Sequence, residues 1–219
     1  MKQSSIIDII SPVMVGPSSS HTAGAVRLGL LARNIYNETP EKVTFKLYNS
    51  YAQTGKGHGT DKGLLAGVLG LGVDDIRIRN IFDSDISKNI KYEFEYLEDF
   101  NRHPNAVDFI FEGKRNMKIS GNSVGAGEIE ITNINDFQVN LTGKYNTLLL
   151  IYKDVPNMIS RVTNSISVNI ASFHCDRSAK GQDASMCICL DGEINQKVID
   201  FISLIEDIYM ISYIKKLES

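Results

Sequence analysis

The hydrophobic pattern of the last third of the chain predicts a small domain of six elements. Apolar runs bounded by Gly, Pro, Asn and Asp indicate strands, and apolar positions three and four apart indicate helices. A polar turn at residues 141–147 separates these elements from the preceding part of the chain. They follow in the order βαββαβ, the ferredoxin-like arrangement, with strands at 147–152, 169–178, 185–190 and 208–215 and helices at 158–167 and 194–206.

The first 140 residues predict a larger α+β domain. Apolar residues recur at helical spacing over 22–36, and a second, glycine-rich helix begins near Asp61. Within the first helix, Gly24 and Gly29 allow close packing against a neighbour. The whole chain is therefore predicted to be an α+β protein with two domains, 1–143 and 146–219. The other apolar runs predict strands at 43–50, 76–81, 91–96, 106–111, 117–122, 128–132 and 137–141.

Composition and charge are those of an ordinary globular protein. Apolar residues make up 42% and charged residues 22% of the 219 residues, and the formal net charge is −3. This charge, and the lack of a Lys or Arg run, argue against nucleic acid as a partner. No apolar stretch approaches the length of a bilayer span, and residues 1–12 are too acidic, with too short an apolar patch, for a signal peptide. We therefore expect a cytoplasmic protein with no nucleic-acid or membrane partner.

The three cysteines, Cys175, Cys187 and Cys189, are an odd number and argue against a disulfide framework. Three thiolates are also the ligand set of a cubane iron–sulfur cluster that keeps one iron open. However, the phrase SMCICL is typical of a strand, so Cys187 and Cys189 point to one face and their apolar neighbours to the other. We therefore interpret the cysteines as small buried hydrophobic residues and predict no metal site in this chain.

The stretch GPSSSHTAG, residues 16–24, carries the strongest chemical signal. It leads into the first predicted helix, where unpaired N–H groups and a partial positive charge favour a carboxylate or a phosphate. The hydroxyls of Ser18, Ser19, Ser20 and Thr22 flank that site, and His21 adds a side chain suited to proton transfer near neutral pH. The alternative is an ordinary capped helix, for which one serine would be enough. The run of hydroxyls favours the anion site.

Two further stretches leave alternatives open. QTGKGHGTDKG, residues 53–63, predicts a glycine loop with His58 and Thr60 as polar groups for an anion, or a flexible loop capped by Asp61. It matches neither the dinucleotide fingerprint nor the P-loop. In SGNSVGAGEIEI, residues 120–131, Asn122 and Ser123 precede a Gly-Ala-Gly turn. That turn is either a tight strand connection or backbone exposed to a ligand.

The phrases VPNMISRVT, VNIASFHCDR and GQDASMCICLDG resemble those of ACT domains, a ferredoxin-like family. The resemblance covers about the last third of the chain and implies self-association and amino-acid binding between paired domains. The family usually has Pro-Gly after the first strand, where the backbone approaches the ligand, whereas this chain has Pro156 and Asn157. Asn157 is thus a candidate effector contact, and an ACT fold kept only for docking is the alternative.

Together with the phrases SPVMVGPSSSHTAGAVRLGLLAR, TGKGHGTDKGLLAGVLG and SVGAGEI, this domain resembles the beta chains of bacterial iron–sulfur-dependent L-serine dehydratases. The family deaminates L-serine to pyruvate and ammonia, with a 4Fe-4S cluster held by cysteines of a separate alpha subunit. The resemblance implies that His21 handles a proton or orients the substrate at a shared active site, and that the chain is inactive alone. It implies substrate contacts from Ser18, Ser19, Ser20, Thr22, His58, Thr60, Asn122 and Ser123.

The first domain is also similar to the allosteric substrate-binding domain of some phosphoglycerate dehydrogenases. This similarity supports a competing hypothesis, in which the chain is a regulatory subunit that senses serine or another anion without taking part in catalysis. A free-standing ACT-containing binding protein is a third hypothesis. Loss of turnover in a His21→Ala variant would favour the catalytic role, and altered substrate or effector dependence would favour the regulatory one.

Overall fold

A computed structural model describes residues 14–217, which form two compact units that divide between Asn135 and Asp136. Both units mix helices with β-strands, so the predicted α+β class is confirmed. Between residues 14 and 217, no helix is long and apolar enough to cross a membrane.

The helices of the first unit begin in the serine-rich stretch. A single π-helical turn, Ser19–Ala23, runs directly into α1, Gly24–Tyr36. After the first strand come α2, Ser50–His58, and α3, Thr60–Val68, and then two short 3₁₀ helices, Ile76–Asp83 and Asp85–Asn89.

Close packing of α1 against α3 depends on two glycines without side chains. A Cβ added to Gly29 would lie 2.5 Å from the carbonyl oxygen of Leu64, and one added to Gly67 would lie 2.2 Å from that of Val26. The close packing predicted for Gly29 is therefore confirmed.

Five strands of the first unit lie side by side in the order β2-β1-β3-β4-β5. β1 pairs in parallel with β2, and the other neighbours are antiparallel. The buried apolar residues of β1 and β3, such as Phe45 and Phe109, make one face of the sheet part of the core. The strands are β1 Lys42–Tyr48, β2 Lys91–Leu97, β3 Ala106–Glu112, β4 Met117–Gly125 and β5 Glu128–Ile134.

The strand predicted at 76–81 is wrong, because these residues form a 3₁₀ helix. Their apolar residues suit either structure over so short a run. In the fold, Ile78 and Ile81, three positions apart, are buried, while Ile76 is 61% exposed. A spacing of three is one turn of a 3₁₀ helix, and a strand would instead place Ile76 and Ile78 on the same face.

The loop predicted from residue 53 up to the helix near Asp61 is also wrong, since residues 53–58 lie in α2. The helix predicted from near Asp61 is confirmed, because α3 begins at Thr60. Gly59 joins the two helices with a φ of +73°, a left-handed conformation that glycine adopts without strain. Gly63 allows α3 to approach the serine-rich stretch, where an added Cβ would lie 2.8 Å from the carbonyl oxygen of Thr22. Tertiary packing thus overrides the low helix propensity of glycine.

The second unit has the predicted βαββαβ order, after a short strand β6, Phe137–Leu141. Its four-stranded sheet has the order β10-β7-β9-β8 with every pair antiparallel, as expected for a ferredoxin-like arrangement. Both helices are shorter than predicted. The elements are β7 Asn146–Lys153, α4 Met158–Thr163, β8 Ile170–Arg177, β9 Asp183–Leu190, α5 Gln196–Ser203 and β10 Ile208–Ile214.

The faces of β9 explain where the cysteines lie. Met186, Ile188 and Leu190 belong to the core of the second unit, whereas Cys187 and Cys189 alternate with them and are also buried. Their predicted burial is confirmed. Cys175, on β8, is half-buried and packs against the same core as Met186.

Candidate active site

The serine-rich stretch forms a compact turn with a defined start. Ser18 is extended and caps the turn, with its Oγ accepting a hydrogen bond from the backbone N–H of His21 at 3.2 Å. The carbonyl oxygen of Ser18 accepts the N–H of Thr22 at 2.9 Å. These two amides are therefore already bonded, and the predicted cradle of free N–H groups is partly filled by the chain itself.

Three hydroxyl groups surround the imidazole of His21. Its Nδ1 lies 3.4 Å from Ser18 Oγ and 3.3 Å from Ser20 Oγ, and its Nε2 lies 3.4 Å from Ser50 Oγ. A hydroxyl can either donate or accept a hydrogen bond, so this set accommodates either tautomer of a neutral ring. The ring is thereby oriented from both nitrogens.

Two rings pack beside His21. The ring centroid of Tyr51 is 5.5 Å away and that of His58 is 5.3 Å away. Burial lowers the pKa of His21 from its ordinary value of 6.5, and the charge of His58 lowers this pKa further. At neutral pH the neutral imidazole is therefore favoured, which is the form that can accept a proton.

The carbonyl group of Ser20 anchors the π-helical turn. In this turn the N–H of Gly24 bonds to the carbonyl of Ser19 instead of that of Ser20. The Ser20 carbonyl oxygen accepts instead from the hydroxyls of Tyr51 and Ser123, each at 2.9 Å. Burial raises the pKa of Tyr51, so its hydroxyl stays protonated and able to donate. Single π-helical turns often occur at functional sites, and here two side chains hold one in place.

Gly24 makes this anchor possible. A Cβ at position 24 would lie 2.3 Å from the Oγ of Ser123 and would displace it. The sequence singled out this glycine for helix packing, and the structure shows that it also admits the serine hydroxyl.

The structure brings several of the sequence-predicted residues together in the first unit. The imidazole of His21 has Ser18, Ser20 and His58 around it, and Ser19 belongs to the same turn. Thr22 is buried and donates its hydroxyl to the carbonyl oxygen of His58 at 2.8 Å, so it ties the two stretches together.

Four predicted residues have other surroundings. Ser123 is fully buried and its hydroxyl donates to the Ser20 carbonyl, and Thr60 is 0% exposed with no hydrogen-bond partner for its Oγ1 among the described residues. Asn122 donates to Glu130 Oε1 at 2.9 Å and lines a different, polar cavity. Asn157 lies in the second unit, where it precedes α4 with a φ of +67°.

Sequence reasoning missed Ser50 and Tyr51, the first two residues of α2. Both come directly after Asn49 in the chain, and the φ of +52° at Asn49 turns the chain sharply at the end of β1. A polar pair at the end of a predicted strand was the available signal. The contact with His21 depends on how α2 packs beside the serine-rich turn, and no local pattern reports that.

The thiols of this chain do not form a three-cysteine cluster site. Cys187 and Cys189 share one face of β9, whereas Cys175 packs with the core on the other side of the sheet. A cubane cluster needs its thiolates to converge on one point, so these residues do not fit it. Among the described residues, no group of three or more His, Cys, Asp or Glu could hold a metal ion.

Comparisons with known proteins find relatives along the whole chain. Residues 5–94 match the family described as serine dehydratase beta chain. The "Probable L-serine dehydratase, beta chain" of Bacillus subtilis is 37% identical over 98% of this chain and 99% of its own length. The "L-serine dehydratase, beta chain" of Peptoniphilus asaccharolyticus is 32% identical over 98% of this chain and 100% of its own length.

A weaker similarity covers part of the chain. A D-3-phosphoglycerate dehydrogenase of Synechocystis is 27% identical over 110 residues, which are 45% of this chain and 20% of that enzyme. The two relatives matched along their whole length, together with the family match over the serine-rich stretch, show that this chain belongs to the family of L-serine dehydratase beta chains.

Proposed function

We propose that the chain supplies the proton-handling side of the active site of a two-chain L-serine ammonia-lyase, which converts L-serine to pyruvate and ammonia. The observation that carries this proposal is His21, held between three hydroxyls with a lowered pKa and facing His58. A structural histidine would need no such set of partners. The chain acts with a catalytic alpha subunit and is inactive alone.

The residues divide into those that reach substrate and those that position them. The hydroxyls of Ser18, Ser19 and Ser20, all half-buried, contact the carboxylate or hydroxyl of L-serine. The buried hydroxyls of Thr22 and Ser123 act through the backbone of His58 and Ser20. The assignment of Thr60 and Asn122 to substrate contacts needs a rearrangement of their present surroundings, so we give them no direct role.

Loss of water from L-serine needs one proton taken from the α-carbon and one delivered to the departing hydroxyl. His21 takes the first proton on a ring nitrogen that is unprotonated at neutral pH. His58, with its ring centroid 5.3 Å away, is placed to serve the second transfer. Two imidazoles in contact thus suit an elimination that moves a proton in each direction.

The 4Fe-4S cluster belongs to the alpha subunit in this proposal, because the thiols here do not converge. There it would supply Lewis-acid chemistry at the substrate hydroxyl. The relatives' designation as beta chains supports a partner of this kind. We further propose that the protein is cytoplasmic.

A regulatory role is the second candidate, and the second unit favours it. Its βαββαβ order and sheet order are those expected of an ACT domain, which we place at 146–219 after a first domain at 1–143. Asn157 lines a cavity there with Asp154 and Tyr152, a position suited to an amino-acid effector. Self-association through this domain would complete such a site.

Anaerobic reconstitution tests the two-chain proposal. The purified chain, the purified alpha subunit and their mixture are each assayed for pyruvate formation from L-serine, with iron content measured in each. We expect turnover only from the mixture and iron only where the alpha subunit is present. Full turnover by the alpha subunit alone would contradict the proposal and leave this chain a regulatory role.

The anchor on the Ser20 carbonyl predicts an effect of Tyr51→Phe. The change removes one of two hydrogen bonds but keeps the ring that packs against His21. A hydrogen bond contributes about 1 kcal/mol net, so we expect kcat of the complex to fall about three- to tenfold. The pH at which activity falls on acidification should not change, because the burial that sets the pKa of His21 is retained.

Two further variants make this test specific. Tyr51→Phe combined with Ser123→Ala should lower kcat by more than either change, since both hydroxyls hold the same oxygen. Tyr209→Phe, at a site 59% exposed, removes a hydroxyl elsewhere and should leave kcat unchanged. Equal kcat in Tyr51→Phe and the wild type would show that the anchor does not matter.

A further inference from the structure

A cavity of about 220 Å³ opens beside the serine-rich stretch. Its wall consists of chain near Pro17, the end of α2, the start of α3 and the 3₁₀ helix Ile76–Asp83. A water molecule takes about 30 Å³ of liquid volume, so the space holds a small ligand of several non-hydrogen atoms. It is lined by Val15, Gly16, Pro17, Thr22, Lys56, Gly57, Gly59, Lys62, Ile78 and Arg79.

Among the described residues, three cationic side chains and no acidic ones line this cavity. They are Lys56, Lys62 and Arg79, and they come from three different helices. The ammonium group of Lys62 donates to the carbonyl oxygen of Arg79 at 2.7 Å, which holds this lysine across the space between α3 and the 3₁₀ helix. This hydrogen bond fixes the position of the Lys62 ammonium group.

Asp61, which directly precedes Lys62 in the chain, has a carboxylate that is already engaged. Asp61 is buried, and its Oδ1 accepts the N–H of Lys62 at 2.8 Å. It leaves an excess of two positive charges around the cavity. Like charges held together repel one another unless an anion joins them, so this arrangement favours an anionic ligand.

Gly57 and Gly59 also line the cavity. A Cβ added to Gly57 would meet no atom within 4 Å, and the chain at Gly59 has a φ of +73°. Neither glycine contributes a side chain to the lining. Of the groups placed around His21, only Thr22 also lines this space.

We propose that this cavity binds a small dianion, such as a phosphate or a dicarboxylate, between Lys56, Lys62 and Arg79. His21 is not among the described residues that line the cavity, yet Lys56 and Gly57 directly precede His58 in the last turn of α2. A bound dianion would fix the turn that carries His58. The site thus offers a way for an anion to act on the residue next to the catalytic imidazole.

Calorimetric titration of the full chain with inorganic phosphate and, in a second arm, with malonate tests this proposal. We expect saturable binding of at least one probe that weakens with added salt, and the tighter probe identifies the class of ligand. The double variant Lys56→Gln/Lys62→Gln should lower the affinity about tenfold or more, because it removes two charge-assisted contacts. Arg79→Gln, at an exposed position, should also weaken binding and tests the site without disturbing buried structure.

The matched control is Lys46→Gln/Lys88→Gln, which removes the same charge from residues that pair with Glu95 and Asp85 away from the cavity. The affinity of this control variant for each probe should equal that of the wild type. Absence of saturable binding, or equal weakening in the control, would overturn the proposal. Loss of phosphate binding when the alpha subunit is added would also overturn it, since the cavity would then belong to the subunit interface. Because binding is measured without turnover, failure of the proposed lyase activity would leave this result standing.

Discussion

Replacing His21 with alanine is expected to lower kcat for L-serine deamination by the two-chain complex about 10²- to 10⁴-fold, the usual contribution of a general base. The imidazole is the group that its three hydroxyl neighbours orient and whose pKa burial lowers. The turn itself should survive, because Ser18 caps it through the backbone of residue 21. Assembly with the alpha subunit and the iron content of the complex should therefore be unchanged.

The wild-type pH profile provides the second half of this test. A base acts only when unprotonated, so kcat/KM should fall as the pH drops through the pKa of His21. Because that pKa is lowered, the midpoint of the fall should lie below the ordinary histidine value of 6.5. The residual kcat/KM of the His21→Ala variant should not show this fall at low pH.

His174→Ala is the matched control for His21→Ala, since His174 lies on an exposed part of β8 in the second unit. It should leave kcat and the pH profile unchanged. Near-normal kcat in His21→Ala, together with a changed dependence on serine concentration, would instead support the regulatory role.

Gly67→Ala is expected to cause the largest loss of stability of any single methyl group added to the first unit. The new Cβ would lie 2.2 Å from Val26 O, 2.7 Å from Leu30 N and 2.8 Å from Gly29 Cα. All three are backbone atoms of α1, so relief requires α1 and α3 to move apart. Overpacking of a tight core typically costs 1–3 kcal/mol, and we expect a loss of about 3 kcal/mol here.

Urea unfolding of the isolated chain, followed by circular dichroism, measures this loss as a lower midpoint. Gly57→Ala is the control, because a Cβ there meets nothing within 4 Å and the residue lies in α2. Alanine is favoured over glycine in a helix by up to about 1 kcal/mol, so the control should be neutral or stabilising. Equal midpoints for the two variants would mean that the helix contact tolerates a side chain.

The sequence predicted most of the second unit correctly because each of its elements has a clear local signal. Alternation placed β7 and β9 within a residue or two of their observed ends, and it also predicted the buried thiols of Cys187 and Cys189. Apolar positions three and four apart placed α4 and α5 correctly but made them too long, because the chain leaves the helix while this spacing still continues.

In the first unit, the two errors arose where local signals conflict with packing. Glycines usually break helices, yet those of α2 and α3 allow close contacts that repay their low propensity. The short run at 76–81 suited a strand or a helix equally, and only burial of Ile78 and Ile81 against α3 and its surroundings decided between them. Neither outcome could be read from the residues alone.

For the candidate site, too, the sequence accounts for one part and the tertiary structure for the other. The sequence by itself identified Ser18–His21 as the candidate for the chemistry, because three hydroxyls and an imidazole at the start of a helix need no distant residue to be recognised. Only the tertiary structure decided what surrounds the imidazole. Ser50, Tyr51 and Ser123 are 29 to 103 residues away from the groups they contact, and a contact at that separation depends on how α2 and β4 pack beside the turn.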